Sequence, residues 1–446
     1  MIAKLISKGT RCVEDPPPDD ISISRCNNDL GTRIYKSLVH GSSRQTSNLV
    51  VSPFSLLSVL TLAMRGTKGI TSHQIRDALN LPCDKETLYY QKYSNILNKL
   101  FLPQLQGHMP DTDFSLDSAN RIYVDKSLEL HHDFVKRSNG SRELSLNSAV
   151  AVVDFSHDSK KAISNINDWV KEKTRGKIIN LLNQDSVNAN TKMVLVNSLY
   201  LNATWITPFE QISPKDFYYH NKAIGLDGKG DSNSHFHTTY KKVPTMEAIS
   251  DFKTGTLSWP FNADIIELPY RTSASITASM IILIPTEKNI TNGEYPLSMM
   301  EKEFNTIILN QVPNFLSNQN TEENRVFVRV EMPKFEIESQ IDLKATLSGL
   351  GVDAMFDHKR CDFSRMIHNV GREVSVDTVI QKCFVNVDLH GTEAAVATAT
   401  ASKSSYAKPY QKEFIINRPF MFIIRVGSAN DPKEGANLFM GRIHEL

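Results

Sequence analysis

Residues 391–408 read GTEAAVATATASKSSYAK, and they lie between strand-like runs: Phe384–Leu389 before them, Phe414–Ile416 and Phe420–Arg425 after. The connection offers no packable apolar face. A connection this long inside a compact domain is as a rule functional or disordered. Its composition is unlike that of a flexible linker, with no Gly after Gly391 and no Pro before Pro409. In extended form Thr392, Ala394, Val396, Thr398, Thr400 and Ser402 share one face, and Glu393, Ala395, Ala397, Ala399, Ala401 and Lys403 share the other. The first face is small and semi-apolar and suits burial, while the second suits water. The segment reads as a strand that can be inserted into a sheet without being obliged to be there. On composition alone, an Ala-rich surface helix or a passive exposed loop remain open readings.

Upstream, helical periodicity covers 22–40, 53–65, 72–80, 85–103 and 158–173. Ser52-Pro53 offers a capping hydroxyl followed by Pro at the first helical position. Lys171 to Gly176 closes the last helix with cations and Gly. Apolar runs rich in β-branched and aromatic residues predict strands at Met193–Leu201, Ile265–Pro269, Met280–Pro285, Val326–Met332, Phe384–Leu389 and Phe420–Arg425. Helices first and strands later predict an α+β domain built on a large mixed or antiparallel sheet. Residues 222–242 and 287–296 are polar and read as surface loops. Residues 1–20, with EDPPPDD at 14–20, read as a mobile tail before one domain spanning 21–446. The final LFMGRIHEL reads as a strand tied into a sheet.

The 446 residues carry 50 Lys+Arg and 49 Asp+Glu, a formal net charge of +1. That balance excludes a nucleic-acid binder working by bulk charge and an acidic solvating tail. No apolar run approaches the roughly 18 residues of a bilayer crossing, so no membrane partner is expected. The Ile2–Ile6 stretch is broken by Lys4 and is too short for a secretory signal. Cys12, Cys26, Cys83, Cys361 and Cys383 are few, odd in number and unpaired by spacing, which argues against a disulfide scaffold or a Cys-rich metal site.

Several weaker motifs fail on chemistry. A calcium loop at Asp227 would need a ligand where Lys229 stands and Gly where Ser232 stands. His131-His132 and His235/His237 lack further ligands at zinc spacing. No nucleophile elbow appears. No metal and no cofactor is expected. Sequons at Asn139, Asn202 and Asn289 say little about export in an Asn- and Ser-rich chain.

A set of motifs, in order, resembles the serpin family from about residue 22 to 446. They are Asn48 to Ser55 (NLVVSPFS) continuing to Gly66-Thr-Lys-Gly69, Val153-Asp-Phe155 with Ile166–Ile179, and Lys192 to Tyr200 (KMVLVNSLY) with Trp205. Glu331 to Phe335 (EMPKF) with Leu347–Phe356, Gly391 to Ala395 (GTEAA), Asn417 to Phe420 (NRPF) and Leu438 to Gly441 (LFMG) complete it. The resemblance implies one domain with three β-sheets, eight to nine helices and an exposed reactive-centre loop at about 391–413. It also implies a serine-protease inhibitor rather than an enzyme. In that family the protease attacks a bait bond as if it were substrate. The loop then inserts into the large sheet, and the protease is trapped as a covalent acyl-enzyme.

Residue by residue, the resemblance implies a hinge at Gly391, Thr392, Glu393, Ala394, Ala395, Val396 and Ala397. It implies a shutter at Ser52, Ser55, Asn197 and Gln381, where the family has His at the last position, and a breach residue at Trp205. The family's Glu two residues before the hinge Gly is Leu389 here, beside Asp388. The bait bond falls at Ser405–Tyr406, which suits an elastase-like pocket, or after Tyr406, which suits a chymotrypsin-like one. Lys403 and Lys408 would suit a trypsin-like pocket but stand off register. A non-inhibitory binding, storage or chaperone role and a cysteine-protease target are the alternatives. Lys85, Lys92 and Lys99 are too thin a patch for a glycosaminoglycan. A monomer able to form loop-sheet polymers is expected. Without a classical signal peptide the chain reads as cytoplasmic as encoded, but action in the extracellular space is common in the family, and the compartment stays open.

Overall fold

The computed structural model describes residues 21–40, 46–82, 85–105, 114–140, 150–222, 236–258, 260–286, 294–317, 326–368, 374–392, 409–429 and 431–446. Among these residues there are nine α-helices, a 3-10 turn at Ala354–Phe356 and three sheets. The helices are α1 (Ile23–Val39), α2 (Pro53–Gly66), α3 (Gly69–Ala78), α4 (Glu86–Leu105), α5 (His132–Gly140), α6 (Phe155–Lys173), α7 (Pro296–Glu303), α8 (Thr306–Ser317) and α9 (Lys344–Gly349).

Strands are numbered along the chain. The seven-stranded sheet holds β2 (Phe114–Ser118), β3 (Arg121–Asp125), β4 (Val150–Val153), β5 (Met193–Thr204), β12 (Phe335–Asp342), β13 (Thr378–Val387) and β14 (Gly391–Thr392). The six-stranded sheet holds β1 (Leu49–Val51), β8 (Lys253–Leu257), β9 (Ala263–Pro269), β10 (Ile276–Pro285), β16 (Phe420–Ser428) and β17 (Asp431–Ile443), in the order β1-β17-β16-β10-β9-β8. The four-stranded sheet runs β15 (Lys412–Ile415), β11 (Val328–Pro333), β7 (Phe236–Ser250), β6 (Glu210–Lys222).

Strand β5 explains why the large sheet sits where it does. Met193, Leu195, Leu199, Leu201 and Ala203 join the main core, whereas Val194 and Val196 face the other way, into a second cluster under α6. A strand buried on both faces reads as a continuous apolar run, which is the pattern of MVLVNSLYL. Helix α2 is apolar nearly all round, with Phe54, Leu57, Leu60 and Met64 buried, so it lies inside the main core. Its first turn is capped by Ser52, whose Oγ accepts from the Ser55 amide at 3.2 Å. Helix α6 is amphipathic and buries Phe155, Ala162, Ile166 and Val170 on the opposite face of the sheet. It ends as its sequence predicts, at Thr174, with Arg175 and Gly176 at φ 52° and 78°.

The expected α+β class and three sheets are present. Three local expectations are corrected. Residues 222–242 are not one loop: Lys222 ends β6 and 236–242 belongs to β7, because Tyr and Phe on these polar stretches pair across the ladder at Tyr218↔Tyr240 and Lys222↔Phe236. Only 223–235 falls outside the described residues. At 287–296, Tyr295 precedes α7 and Pro296 occupies its first position, so the loop is shorter than expected, with 287–293 outside the described residues. The strand expected at Phe384–Leu389 is Thr378–Val387, ended by Asp388, whose Oδ1 accepts from the amides of His390 at 2.8 Å and Gly391 at 3.2 Å. The tail 1–20 and residues 393–408 lie outside the described residues.

Candidate functional site

The site is a seam in the large sheet. β13 and β5 pair in parallel from Thr378↔Val194 to Cys383↔Leu199. Above that point they part. β14 enters the gap, antiparallel to both neighbours, through Gly391↔Thr204, Thr392↔Ala203 and Val387↔Thr392. Gly391 and Thr392 are therefore already strand residues, and Thr392 is 1% exposed. A Cβ on Gly391 would sit 1.9 Å from the Ala203 carbonyl oxygen, so only Gly allows this approach. Glu393, Ala394, Ala395, Val396, Ala397, Lys403, Ser405, Tyr406 and Lys408 lie outside the described residues. The chain is described again from Pro409 and joins the four-stranded sheet at Lys412, so 412–413 are strand rather than loop.

Aromatic side chains fasten the head of the seam. Trp205 donates its amide to the His390 carbonyl at 2.8 Å and its indole N–H to the Asp388 carbonyl at 3.1 Å. The Phe209 amide donates to the Leu389 carbonyl at 2.8 Å. The Trp205 indole stacks on Tyr270 with centroids 4.4 Å apart, and the Tyr270 hydroxyl shares a 2.6 Å hydrogen bond with the Thr392 hydroxyl. Burial drives the Tyr270 phenol far above its ordinary value, so it stays protonated as a hydrogen-bonding group. At Leu389, where the resemblance implies Glu, the backbone is held by Phe209 while Asp388 organises the turn.

A polar cluster fills the closed part of the seam and joins all four residues Ser52, Ser55, Asn197 and Gln381. Gln381 donates from Nε2 to Asn197 Oδ1 at 2.6 Å and to the Ser52 carbonyl at 2.9 Å, and its Oε1 accepts from the Ser52 amide at 3.0 Å. The Ser55 hydroxyl lies 2.9 Å from Asn197 Oδ1 and 2.7 Å from Asn120 Oδ1. Asn120, which also accepts from the Ser198 amide, has no part in the sequence reading; only its place in the turn between β2 and β3 could have flagged it. These groups are buried and mutually satisfied save for Asn197 Nδ2, so the cluster is rigid, and its acceptor-donor pattern does not change with pH.

On the α6 face, the segment after the helix is fastened to β13 and β12. Lys382 Nζ donates to the Ile179 carbonyl at 2.8 Å, and Gln340 Nε2 donates to the Leu181 carbonyl at 3.0 Å. The Arg121 guanidinium stacks over Trp169 of α6 at 3.7 Å.

Other residues singled out by sequence do not assemble. His131 lies against His368, centroids 3.6 Å apart, and among the described residues no three His, Cys, Asp or Glu gather to hold a metal. Cys26, Cys361 and Cys383 are buried thiols; burial pushes Cys26 up to about 12 and Cys361 up to about 11. Asn202 sits inside β5, paired with Ser115 of β2, a poor glycan acceptor. Lys85 precedes α4, Lys92 lies on it, and the Lys99 side chain is outside the described residues. No described helix is long and apolar enough to cross a membrane.

A family model described as Serpin (serine protease inhibitor) matches residues 25–446. Plasminogen activator inhibitor 1 of Neovison vison is 31% identical over 419 residues, covering 94% of this chain and 91% of the relative. Leukocyte elastase inhibitor A of Mus musculus is 29% identical over 421 residues, covering 94% and 98%. Among solved structures, Serpin48 of Tenebrio molitor superimposes with a TM-score of 0.70 at 27% identity, covering 95% of this chain and 98% of that one.

Proposed function

The chain belongs to the serpin family, and on that premise we propose that it is a suicide-substrate inhibitor of a serine protease with an elastase- or chymotrypsin-like pocket. The observation that carries this reading is the unfinished ladder: β5 and β13 part above Leu199 and Cys383, and the two residues that begin the loop already occupy the opening. Growth of β14 down this opening needs no new topology.

The chemistry follows from the loop and the gap. The protease's serine oxygen adds to the Ser405 carbonyl carbon, the Ser405–Tyr406 amide bond breaks, and the new amine leaves with Tyr406 after taking a proton. Ser405 is then esterified to the protease. The freed strand from Glu393 onward can now pair with β5 on one side and β13 on the other. At about 1 kcal/mol net per ladder bond, a dozen residues supply on the order of 10 kcal/mol before packing. Thr392, Ala394, Val396, Thr398 and Thr400 on one face are small or β-branched, which suits entry under α6 or the core. The stored difference between open and filled sheet makes the starting state kinetically held.

Incubation with pancreatic elastase, chymotrypsin, trypsin and papain, read on a denaturing gel and by intact mass, tests the proposal. A covalent complex with one of the first two, and a released peptide beginning at Tyr406 or at Ala407, is expected. Cleavage without complex in every case would leave a non-inhibitory serpin, and a complex formed only with papain-like enzymes would move the target class.

A further inference from the structure

A cavity of about 430 Å3 opens where the end of α2, the starts of α4 and α5 and residues 364–365 meet. No hinge, shutter or breach residue lines it. Its walls are fixed by backbone bonds. The His131 amide donates to the Met366 carbonyl at 2.8 Å, and the His368 amide to the Glu129 carbonyl at 2.8 Å. At the end of α2, Gly66 packs so closely that a Cβ there would stand 3.0 Å from Met366 Cβ and 3.4 Å from the Phe134 ring. The side chains facing this space are rich in donors. The Arg65 guanidinium lies over the Tyr90 ring, 4.6 Å from its centroid. Arg365, half-buried, is held only by a loose 3.5 Å ion pair to Glu86. The Ser364 and Tyr90 hydroxyl oxygens are buried without a hydrogen-bond partner among the described residues, an arrangement folded proteins avoid unless another group completes it. Burial first, and the Glu86 carboxylate second, drive the Tyr90 phenol far above its ordinary value, so it keeps its proton as a donor.

We propose that this cavity binds a small phosphate monoester carried on a flat ring, its phosphate held by Arg65, Arg365 and the Ser364 and Tyr90 hydroxyls and its ring against Phe134 and His131. The size falls within the roughly 300–1,000 Å3 of small-molecule pockets. A carboxylate offers two oxygens, whereas the three terminal oxygens of a phosphate monoester can engage two guanidinium forks and two hydroxyls together. The charges around the cavity tip the same way. Arg65 and Arg365 are matched in number by Glu86 and Asp133. Glu86 and Asp133, however, stand in the first turns of α4 and α5, whose positive ends offset them, while Arg65 stands in the last turn of α2, at one negative end. Two positive helix ends against one negative end leave the balance in favour of an anion. Arg365 is the group that adapts: an arriving phosphate replaces Glu86 as its partner. The ring contact separates this ligand from a bare inorganic anion, since Phe134 is buried in the core and His131 is already braced against His368 with centroids 3.6 Å apart. The inference uses no residue of the loop and stands whether or not the loop traps a protease.

Calorimetric titration of the full chain with phenyl phosphate tests the proposal, with inorganic phosphate and phenol as the two halves of the probe. One saturable site for phenyl phosphate is expected, with inorganic phosphate at least tenfold weaker and phenol not binding. Arg365→Gln removes a charged donor from a half-exposed position and is expected to weaken phenyl phosphate about tenfold or more while circular dichroism stays native. Glu86→Gln frees Arg365 and is expected to tighten binding, a sign that damage to the fold does not produce. Arg360→Gln removes a nearby guanidinium that is tied to Asp353 and does not line the cavity, and is expected to leave affinity unchanged. Absent binding, or equal losses in Arg365→Gln and Arg360→Gln, overturns the site. Inorganic phosphate binding as tightly as phenyl phosphate overturns the ring contact, and phenol binding as tightly overturns the phosphate contact. Weaker binding in Glu86→Gln overturns the exchange of partners at Arg365. No readout involves a protease, so failure here is distinct from failure of the inhibitor reading.

Discussion

Replacing Gly391 by Ala tests whether the hinge is held in the sheet by close backbone approach. The added Cβ would stand 1.9 Å from the Ala203 oxygen and 2.8 Å from both the Ala203 carbonyl carbon and Thr204 Cα. All three are backbone atoms of a strand buried on both faces, so the strand cannot yield and β14 must leave. Departure removes the pairings at Gly391↔Thr204, Thr392↔Ala203 and Val387↔Thr392 and the Thr392–Tyr270 hydrogen bond. At about 1 kcal/mol net for each, the loss is about 3–4 kcal/mol. Since about 1.4 kcal/mol is a factor of ten, the ratio of inserted to ejected hinge falls by roughly two to three powers of ten. Native-state hydrogen exchange with peptide-level mass spectrometry reads this directly. Amides of Trp205 and Phe209, which donate to the hinge turn, and of Gly391 and Thr392 should exchange faster by up to that factor, whereas β16 and β17 should be unaffected. The Tyr270→Phe substitution should cost about 1–3 kcal/mol in wild type but little once Gly391→Ala has removed the partner. Wild-type protection in Gly391→Ala, or acceleration spread evenly over the molecule, would refute the reasoning.

Three further outcomes follow from the same physics. Gln381→Leu strips the Ser52 amide of its acceptor and Asn197 Oδ1 of a donor inside the core; it should cost about 2–3 kcal/mol in urea unfolding, with no dependence on pH between 5 and 8. Arg442→Met leaves the Glu301 carboxylate, 2.8 Å from Arg442 Nη1 and itself pushed upward by burial, without its counter-charge; about 3–5 kcal/mol of destabilisation is expected in the same assay. Asp125 is fully buried, and although burial raises its carboxyl, hydrogen bonds from Ser127 and Ser156 win and hold it far below the usual carboxylate range. Its contribution is thus present above the unfolded value of about 4 and is lost as pH falls below it, so Asp125→Asn should lower stability at pH 7 yet flatten the acid limb of a melting-temperature curve between about pH 4 and 2.

The elements most legible in the sequence were those whose environment is uniform. β5 is apolar on both faces and α2 apolar all round, so their runs stand out. The first half of β13 was not legible because Gln381 and Lys382 interrupt TVIQKC with polar groups. The structure shows both satisfied, Gln381 by Ser52 and Asn197, Lys382 by the Ile179 carbonyl, partners far away in sequence. α7 and α8 escaped because they are only 8 and 12 residues long, which leaves their apolar faces short. The cluster at Ser52, Ser55, Asn197 and Gln381 could be named from motif resemblance, but Asn120 could not, since it becomes a member only through a turn. Tyr270 gave no signal at all: a Tyr after Pro269 is ordinary, and its importance comes from standing opposite Trp205 and Thr392 at once.

The closed part of the seam has a consequence for how long the protein keeps its form. Six residue pairs, Thr378–Cys383 with Val194–Leu199, hold the closed part of the seam together, with the Gln381–Asn197 hydrogen bond across it. Each pair released is worth about 1 kcal/mol, or about a fivefold change in rate if it breaks before the barrier. Lifetime is then a matter of counting rungs. A substitution that frays one rung shortens the waiting time about fivefold, and one that adds a rung lengthens it by the same factor, with no change in what the molecule binds. The seam is in this sense a timer, and its setting is written in the length of two strands.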